Sequence, residues 1–183
     1  MNNLQEELPL ELVVDDDIIL RVKKPEFALE LFTLIQVQRD YLLEWLPWVE
    51  HVTSPAAQEL SLRQFYNATM KGEAYETLIF YKGQVAGSLS FNEISHLNHQ
   101  ADIGYWLSAD LKGRGIMTKS VAKLIKFGFG QLKLHKITLV AAVENQPSNA
   151  VAKRVGMTLE ATLREQILLK SGYHDVNYYS IFA

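Results

Sequence analysis

The chain has no cysteine. Disulfides, thiolate zinc sites and a catalytic thiol are therefore excluded, and the absence fits a reducing compartment. Apolar runs long enough to span a bilayer are also missing, and the first twelve residues, MNNLQEELPLEL, are acidic and lack a signal-peptide pattern. A soluble cytoplasmic protein is the expectation. Basic excess is absent as well: the net charge is −3 and the pI about 6.0, which argues against direct nucleic-acid binding. Histidine is scarce, and its spacing is poor for a metal. His96 and His99 are three apart without a third ligand beside them. Asp15-Asp16-Asp17 has no histidine or glutamate following at ligand spacing and reads as a solvated turn. No metal is expected.

What is present suits one globular domain over residues 1–183, with 48% hydrophobic and 21% charged residues. After the polar lead-in, Ile18–Val22 is strand-like. Pro25 suits the first turn of a helix continued by Phe27, Leu31, Leu34, Ile35 and Gln38. Pro47 then ends or kinks a second helix among Tyr41, Trp45 and Trp48. Trp45 is expected in the core, and Pro47-Trp48 either there or at a cleft mouth. Ser54-Pro55 caps a third helix to about Lys71, with Leu60, Phe65 and Met70 inward. A hairpin pairs Tyr75–Tyr81 with Val85–Glu93 through Lys82-Gly83-Gln84.

The chain is organised around Ala101–Leu132. Ala101–Leu107 suits a buried strand. Lys112-Gly113-Arg114-Gly115 is a tight cationic turn, and Met117, Val121, Leu124, Ile125 and Phe129 recur at helical spacing. A helix start presents unpaired N–H groups and partial positive charge. With two glycines before it, and Lys112, Arg114 and Lys119 around it, it is an anion site for phosphate or pyrophosphate. Two ligands fit. Gly113–Ser120 nearly matches the nucleotide loop G-x-x-x-x-G-K-[ST], with Thr118 in place of the second glycine and Glu144 as a weak magnesium candidate. The other ligand is the pyrophosphate of coenzyme A.

Beyond the loop, Lys136–Val143 reads as a strand buried on both faces. A short helix follows over Asn149–Val155, then strands Met157–Leu169 and Tyr173–Phe182. The order is β-α-α-α-β-β-β-α-β-α-β-β, an α+β (α/β) chain whose seven strands form a mixed sheet of hairpins around one parallel crossover. The nucleotide loop should begin a run of parallel units, which this order does not offer.

Four patterns in sequence resemble the GCN5-related N-acetyltransferase (GNAT) family, in the branch of the ribosomal-protein-serine and -alanine acetyltransferases. They are Ala101–Trp106, Lys112–Thr118, Asn145–Ala152 with Gly156-Met157, and Tyr173–Val176. The family loop is Q/R-x-x-G-x-G/A; Lys112 and Met117 depart from it and Gly115 matches. The resemblance implies a mostly antiparallel sheet with one splayed parallel pair. Acetyl-coenzyme A would be the donor and a primary amine the acceptor. That amine would be a protein N-terminus or a small molecule, and a non-catalytic acyl-coenzyme A binder is the alternative. A homodimer is a further implication.

The same resemblance implies site residues. The coenzyme would be bound by Lys112, Gly113, Arg114, Gly115, Ile116, Met117 and Thr118, with its pyrophosphate on backbone N–H groups of about Arg114 to Lys119. Backbone donors near Leu107 would hold the thioester carbonyl, and Asn145 would meet pantetheine. Asp102 would be the base, directly or through water, with Glu93 and Glu165 in reserve. Ser148, by residue type an N-cap of the short helix, would by the resemblance give a proton to the leaving thiolate or hydrogen-bond its sulfur. In some ribosomal-protein acetyltransferases a glutamate on the strand after the short helix is the base; here Ile167 stands there. Tyr173, His174 and Asp175 would line the acceptor side or hold a Tyr–Asp bond, and Trp45–Trp48 would form part of the groove.

Overall fold

A computed structural model describes residues 8–183. Eight strands form one sheet: β1 (Glu11–Val13), β2 (Ile18–Val22), β3 (Tyr75–Tyr81), β4 (Gln84–Ser95), β5 (Gln100–Leu107), β6 (Lys136–Ala142), β7 (Thr158–Leu169) and β8 (Gly172–Phe182). Their order is β1-β2-β3-β4-β5-β6-β8-β7. Every neighbouring pair is antiparallel except β5–β6, which is parallel. The helices are α1 (Ala28–Val37), α2 (Arg39–Leu43), α3 (Pro55–Met70), α4 (Ile116–Gly130) and α5 (Gln146–Arg154).

The expected element order holds, with one strand added. β1 falls in what reads as a polar lead-in, because only Leu12 of its three residues is buried. Three residues carry too little alternation to be seen in sequence. Residues 1–7 of that lead-in lie outside the described residues.

Alternation along the strands sorts the sheet into two faces. On β3, Tyr75 and Ile79 join the core with α4, whereas Leu78 and Phe80 join α1 and α3. On β5, Ala101 and Ile103 face α4, and Trp106 faces the α1–α3 layer. Both faces are covered, and β3 is buried along nearly its whole length.

Two expectations about side-chain direction are corrected. On α3 the buried residues are Gln58, Leu62 and Thr69, while Leu60, Phe65 and Met70 are exposed. Hydrogen bonding, not hydrophobicity, turns Thr69 inward: its Oγ1 accepts from the Glu76 N–H at 3.0 Å. On β6, Val140 is 41% exposed, so the strand is not buried on both faces. The reason lies in its neighbour β5.

Candidate active site

The β5–β6 ladder runs from Gln100–Lys136 to Ile103–Leu139 and stops. β6 stays paired to β8 as far as Ala142–Val176, and β5 stays paired to β4 as far as Leu107–Gly87. The two parallel strands therefore splay beyond Ile103, which uncovers Val140. The Ser108 N–H donates to Ala86 of β4 at 2.8 Å. By strand alternation the N–H groups of Tyr105 and Leu107 point the other way, into the opening.

A cavity of about 840 Å³ occupies the splay. β5 contributes Ile103–Leu107 to its wall, and β6 contributes Leu139–Ala142. Met117 of α4 and Ser148 of α5 line it, as do Leu42 of α2 and Trp45 just beyond it. α4 packs on one face of the sheet, and Leu42 belongs to the cluster on the other. The cavity is thus a slot through the sheet, open to both layers.

At one wall the chain turns through Gly113 and Gly115, with φ of 76° and 74°. Those are left-handed conformations that cost other residues about 1–2 kcal/mol. Gly115 is the N-cap of α4 and offers no side chain to accept from it. The N–H groups of Ile116, Met117 and Thr118 have no helical partner, while the Ile116 and Met117 side chains are buried in the core. All the loop residues singled out from sequence line the cavity except Arg114. Its guanidinium donates instead to the Asp110 carbonyl at 3.3 Å. Lys112 lies 3.8 Å from the Tyr41 ring centroid, a cation–π contact that joins the loop to α2. Lys119 donates to Asp15 Oδ2 at 2.7 Å, which holds Asp15 below the usual carboxylate range.

The nucleotide-loop reading fails on this backbone. Thr118 already lies in the first turn of α4, and the Glu144 carboxylate is bonded to His174 Nδ1 at 3.1 Å.

At the end of β6, Asn145 rather than Ser148 caps α5; its side chain accepts from the Ser148 N–H at 3.2 Å. Capping is therefore not the task of the Ser148 hydroxyl, which lies 2.9 Å from the Tyr105 hydroxyl. Burial pushes the Tyr105 phenol up to about 12, against a smaller opposing effect of the Ser148 hydrogen bond. Tyr105 thus keeps its proton at neutral pH and can supply Ser148 with one. Asn149 fixes this corner. Its amide donates to the carbonyls of Ala142 and Asn145 at 2.9 and 2.8 Å. Its oxygen accepts from Asn177 and Tyr179 at 2.7 and 2.9 Å.

Asp102 is not brought to the cavity. It sits where the ladder is still closed, opposite a bulge in β4, and accepts from Asn92 at 2.7 Å. Glu93, in the same bulge, and Glu165, in a bulge of β7, are exposed and also off the lining. Asp175 accepts from the Glu165 N–H at 2.9 Å and not from Tyr173. Of the Trp45–Trp48 stretch, Trp45 and Leu46 line the cavity and Pro47 and Trp48 do not, so Trp45 is not confined to the core. Tyr105 and Arg154 were not picked out from sequence. Arg154 had a signal, since 148, 151 and 154 recur at helical spacing on α5 and all line the cavity. Tyr105 had only its place on a strand.

Known proteins match this arrangement. The acetyltransferase (GNAT) domain family matches residues 18–158. The ribosomal-protein-serine acetyltransferase of Escherichia coli (strain K12) is 30% identical over 167 residues, 91% of this chain and 93% of its own. RimL, the ribosomal L7/L12 alpha-N-protein acetyltransferase, solved in complex with coenzyme A, superposes with a TM-score of 0.91 at 32% identity, covering 94% of this chain and 97% of its own. The microcin C7 self-immunity acetyltransferase MccE, solved with acetyl-CoA and AMP, gives 0.90 at 32%, covering 97% and 98%. On the family match and on these near-full-length likenesses, the chain belongs to the GNAT acetyltransferases.

Proposed function

We propose that this acetyl-coenzyme A-dependent acetyltransferase acts on the N-terminal α-amine of a protein. The observation that carries the reading is the slot between β5 and β6, with the anion-binding turn on one side of the sheet and Leu42 and Trp45 toward the other. A thioester threaded from the α4 side meets an amine arriving from the α2 side. An exposed chain end can enter such an opening. The likeness to proteins named as ribosomal-protein acetyltransferases supports that choice.

The residues divide the work as follows. Backbone N–H groups of Ile116–Thr118, reached through Gly113 and Gly115, hold the pyrophosphate, with Lys112 beside them. The Leu107 N–H, freed by the splay, faces the thioester carbonyl and the oxyanion that forms from it. Asn145 keeps its amide nitrogen for pantetheine while its oxygen caps α5. The amine nitrogen attacks the carbonyl carbon, the tetrahedral intermediate collapses, and the C–S bond breaks. Ser148, backed by Tyr105, protonates the departing thiolate. Asp102, outside the lining, takes part only through water.

The test is acetylation of peptides that begin with serine or alanine, located by fragment-ion mass spectrometry, beside the same peptides blocked at the N-terminus and beside small amines. Acetyl groups on the α-amine alone are expected. Transfer only to lysine side chains or to a small amine overturns the reading.

A further inference from the structure

An attacking amine must lose protons, and nothing in the cavity wall is placed to take one. Its charged lining residues are Lys112, Lys119 and Arg154, and no carboxylate or imidazole is among the described lining residues. Ile167 lies on that wall. Its register partner on β8 is His174.

We propose that Ser171, His174 and Glu144 form the relay that carries the proton away from the acceptor amine, an inference that rests on the acetyl-transfer reading above. His174 Nδ1 lies 3.1 Å from Glu144 Oε2, and His174 Nε2 lies 2.7 Å from Ser171 Oγ. A carboxylate only accepts, so Nδ1 carries the hydrogen. Nε2 of the neutral ring is then the acceptor, and the serine hydroxyl donates to it. This is the arrangement of a general base: an imidazole oriented by a carboxylate on one nitrogen and open to a proton on the other.

The placement fits. His174, Val176 and Tyr178 share one face of β8, and the last two pair with Ala142 and Val140, both on the cavity wall. His174 therefore sits on the side of the sheet away from α5 and Ser148, whose neighbour Asn149 bonds Asn177 and Tyr179 on the other face. The imidazole is largely covered, its side chain 18% exposed, whereas Ser171 is open. Ser171 opens on a second pocket of about 450 Å³, shared with Asp40, Leu43 and Glu44 of the α2 segment. The same segment gives Leu42 and Trp45 to the main cavity. The hairpin does not need the relay for its shape, since Ile167–His174, Leu168–Tyr173 and Leu169–Gly172 already fix its register.

The step balances. An N–H bond of the ammonium breaks, and its proton passes through water to Ser171 Oγ while the serine proton moves to His174 Nε2. Glu144 stabilises the imidazolium that results. The imidazolium returns that proton to solvent through Ser171, the freed lone pair attacks the thioester, and the second proton, now on the nitrogen of the tetrahedral intermediate, leaves by the same path as the C–S bond breaks. None of the three lines the main cavity, and Ser171 faces the second pocket, so the relay reaches the amine through water and all three act at one remove from the reacting atoms.

Steady-state kinetics on the full chain test this, with whichever amine the wild type acetylates. His174→Gln keeps hydrogen-bonding groups and loses the base. We expect kcat to fall about a hundredfold, with the KM for acetyl-CoA and the Tm unchanged. Ser171→Ala should lower kcat in the same way, and imidazole in the buffer should restore part of the activity of His174→Ala. A kcat for His174→Gln within threefold of wild type overturns the relay, as does a loss in His174→Ala that imidazole leaves unmoved. Should His174→Ala fail to fold, the glutamine variant decides. A wild type that acetylates amines other than N-termini overturns the substrate reading alone. One inert toward every amine overturns the relay with it.

Discussion

α4 begins on Gly115, which has no side chain to accept from the N–H groups of its first turn. α5 begins under Asn145, whose side chain takes the Ser148 N–H, while Gln146 donates to Glu144 and Pro147 has no N–H to give. Both helices start beyond the carboxyl ends of the parallel pair, and both first turns line one cavity. One start is left electrostatically open and the other is satisfied from within. We propose on that ground that the anion is drawn to α4, where backbone would do the binding. α5 presents a side chain, Ser148, held in place by a closed turn. On the proposed reading, the same local motif gives a binding element in one place and a reactive group in the other, and the cap makes the difference.

The strongest way to break the comparison is at Ser148. Ser148→Ala should lower kcat about a hundredfold and leave the Tm in place, because Asn145 is the cap. Coenzyme A release and calorimetry on one preparation check both halves. A large loss of Tm with little change in kcat would make the serine structural. At α4 the corresponding position is Gly115. Space around a Cβ there is open, so Gly115→Ala acts through backbone conformation alone and costs about 1–2 kcal/mol. The turn relaxes and misdirects its N–H groups, and the Kd for acetyl-CoA should rise about tenfold by isothermal titration. Asparagine tolerates the left-handed region, so Gly115→Asn should recover most of that loss. Equal losses for alanine and asparagine would mean that the side chain itself obstructs the ligand.

Asn145→Ala sharpens the contrast from the other side. Losing the cap costs about 1 kcal/mol, a fall in Tm of roughly 2–4 °C for a chain of this size. The effect on acetyl-CoA affinity should be smaller than that of Gly115→Ala. A larger effect on affinity than on Tm would show that pantetheine, not helix capping, is the main task of Asn145.

These two helix starts also mark what could be read from sequence. The α4 turn was legible because its glycines, cations and helical period are contiguous. The parallel crossover was legible too, since it follows from element order. Ser148 and Asn145 were both visible, but their division of labour was not. Either residue type caps a helix, and the choice depends on where the chain leaves β6. The Tyr105–Ser148 bond joins residues 43 apart and exists only because β5 and β6 separate. Asp102 stood out as a carboxylate on a central strand, yet the ladder opens only beyond Ile103, so it falls short of the cavity. Val140 reads as core for the same reason. Sequence periodicity reports which face a side chain takes, and a splay changes what that face meets.

The smallest effect belongs to the tie between Asp15 and Lys119. Asp15 titrates below its usual 3.8, chiefly because Lys119 donates to it, and Lys119 titrates above its usual 10.5 for the reciprocal reason. A lowered carboxylate contributes stability above its unfolded value and loses it as pH falls through the folded one. A raised lysine contributes below its unfolded value and loses it as pH rises through the folded one. The pair is therefore intact across neutral pH, but it is exposed, and solvent and salt screen it. Asp15→Asn should move the Tm at pH 7 by less than about 1 °C. Its informative readout is binding. With the carboxylate gone, the Lys119 ammonium is free to turn toward the open start of α4, and acetyl-CoA should bind up to about threefold tighter in low salt, with the gain vanishing as salt rises. Weaker binding would mean the reverse: that Asp15 steers Lys119 onto the phosphates, and that the open helix start depends on a side-chain brace after all.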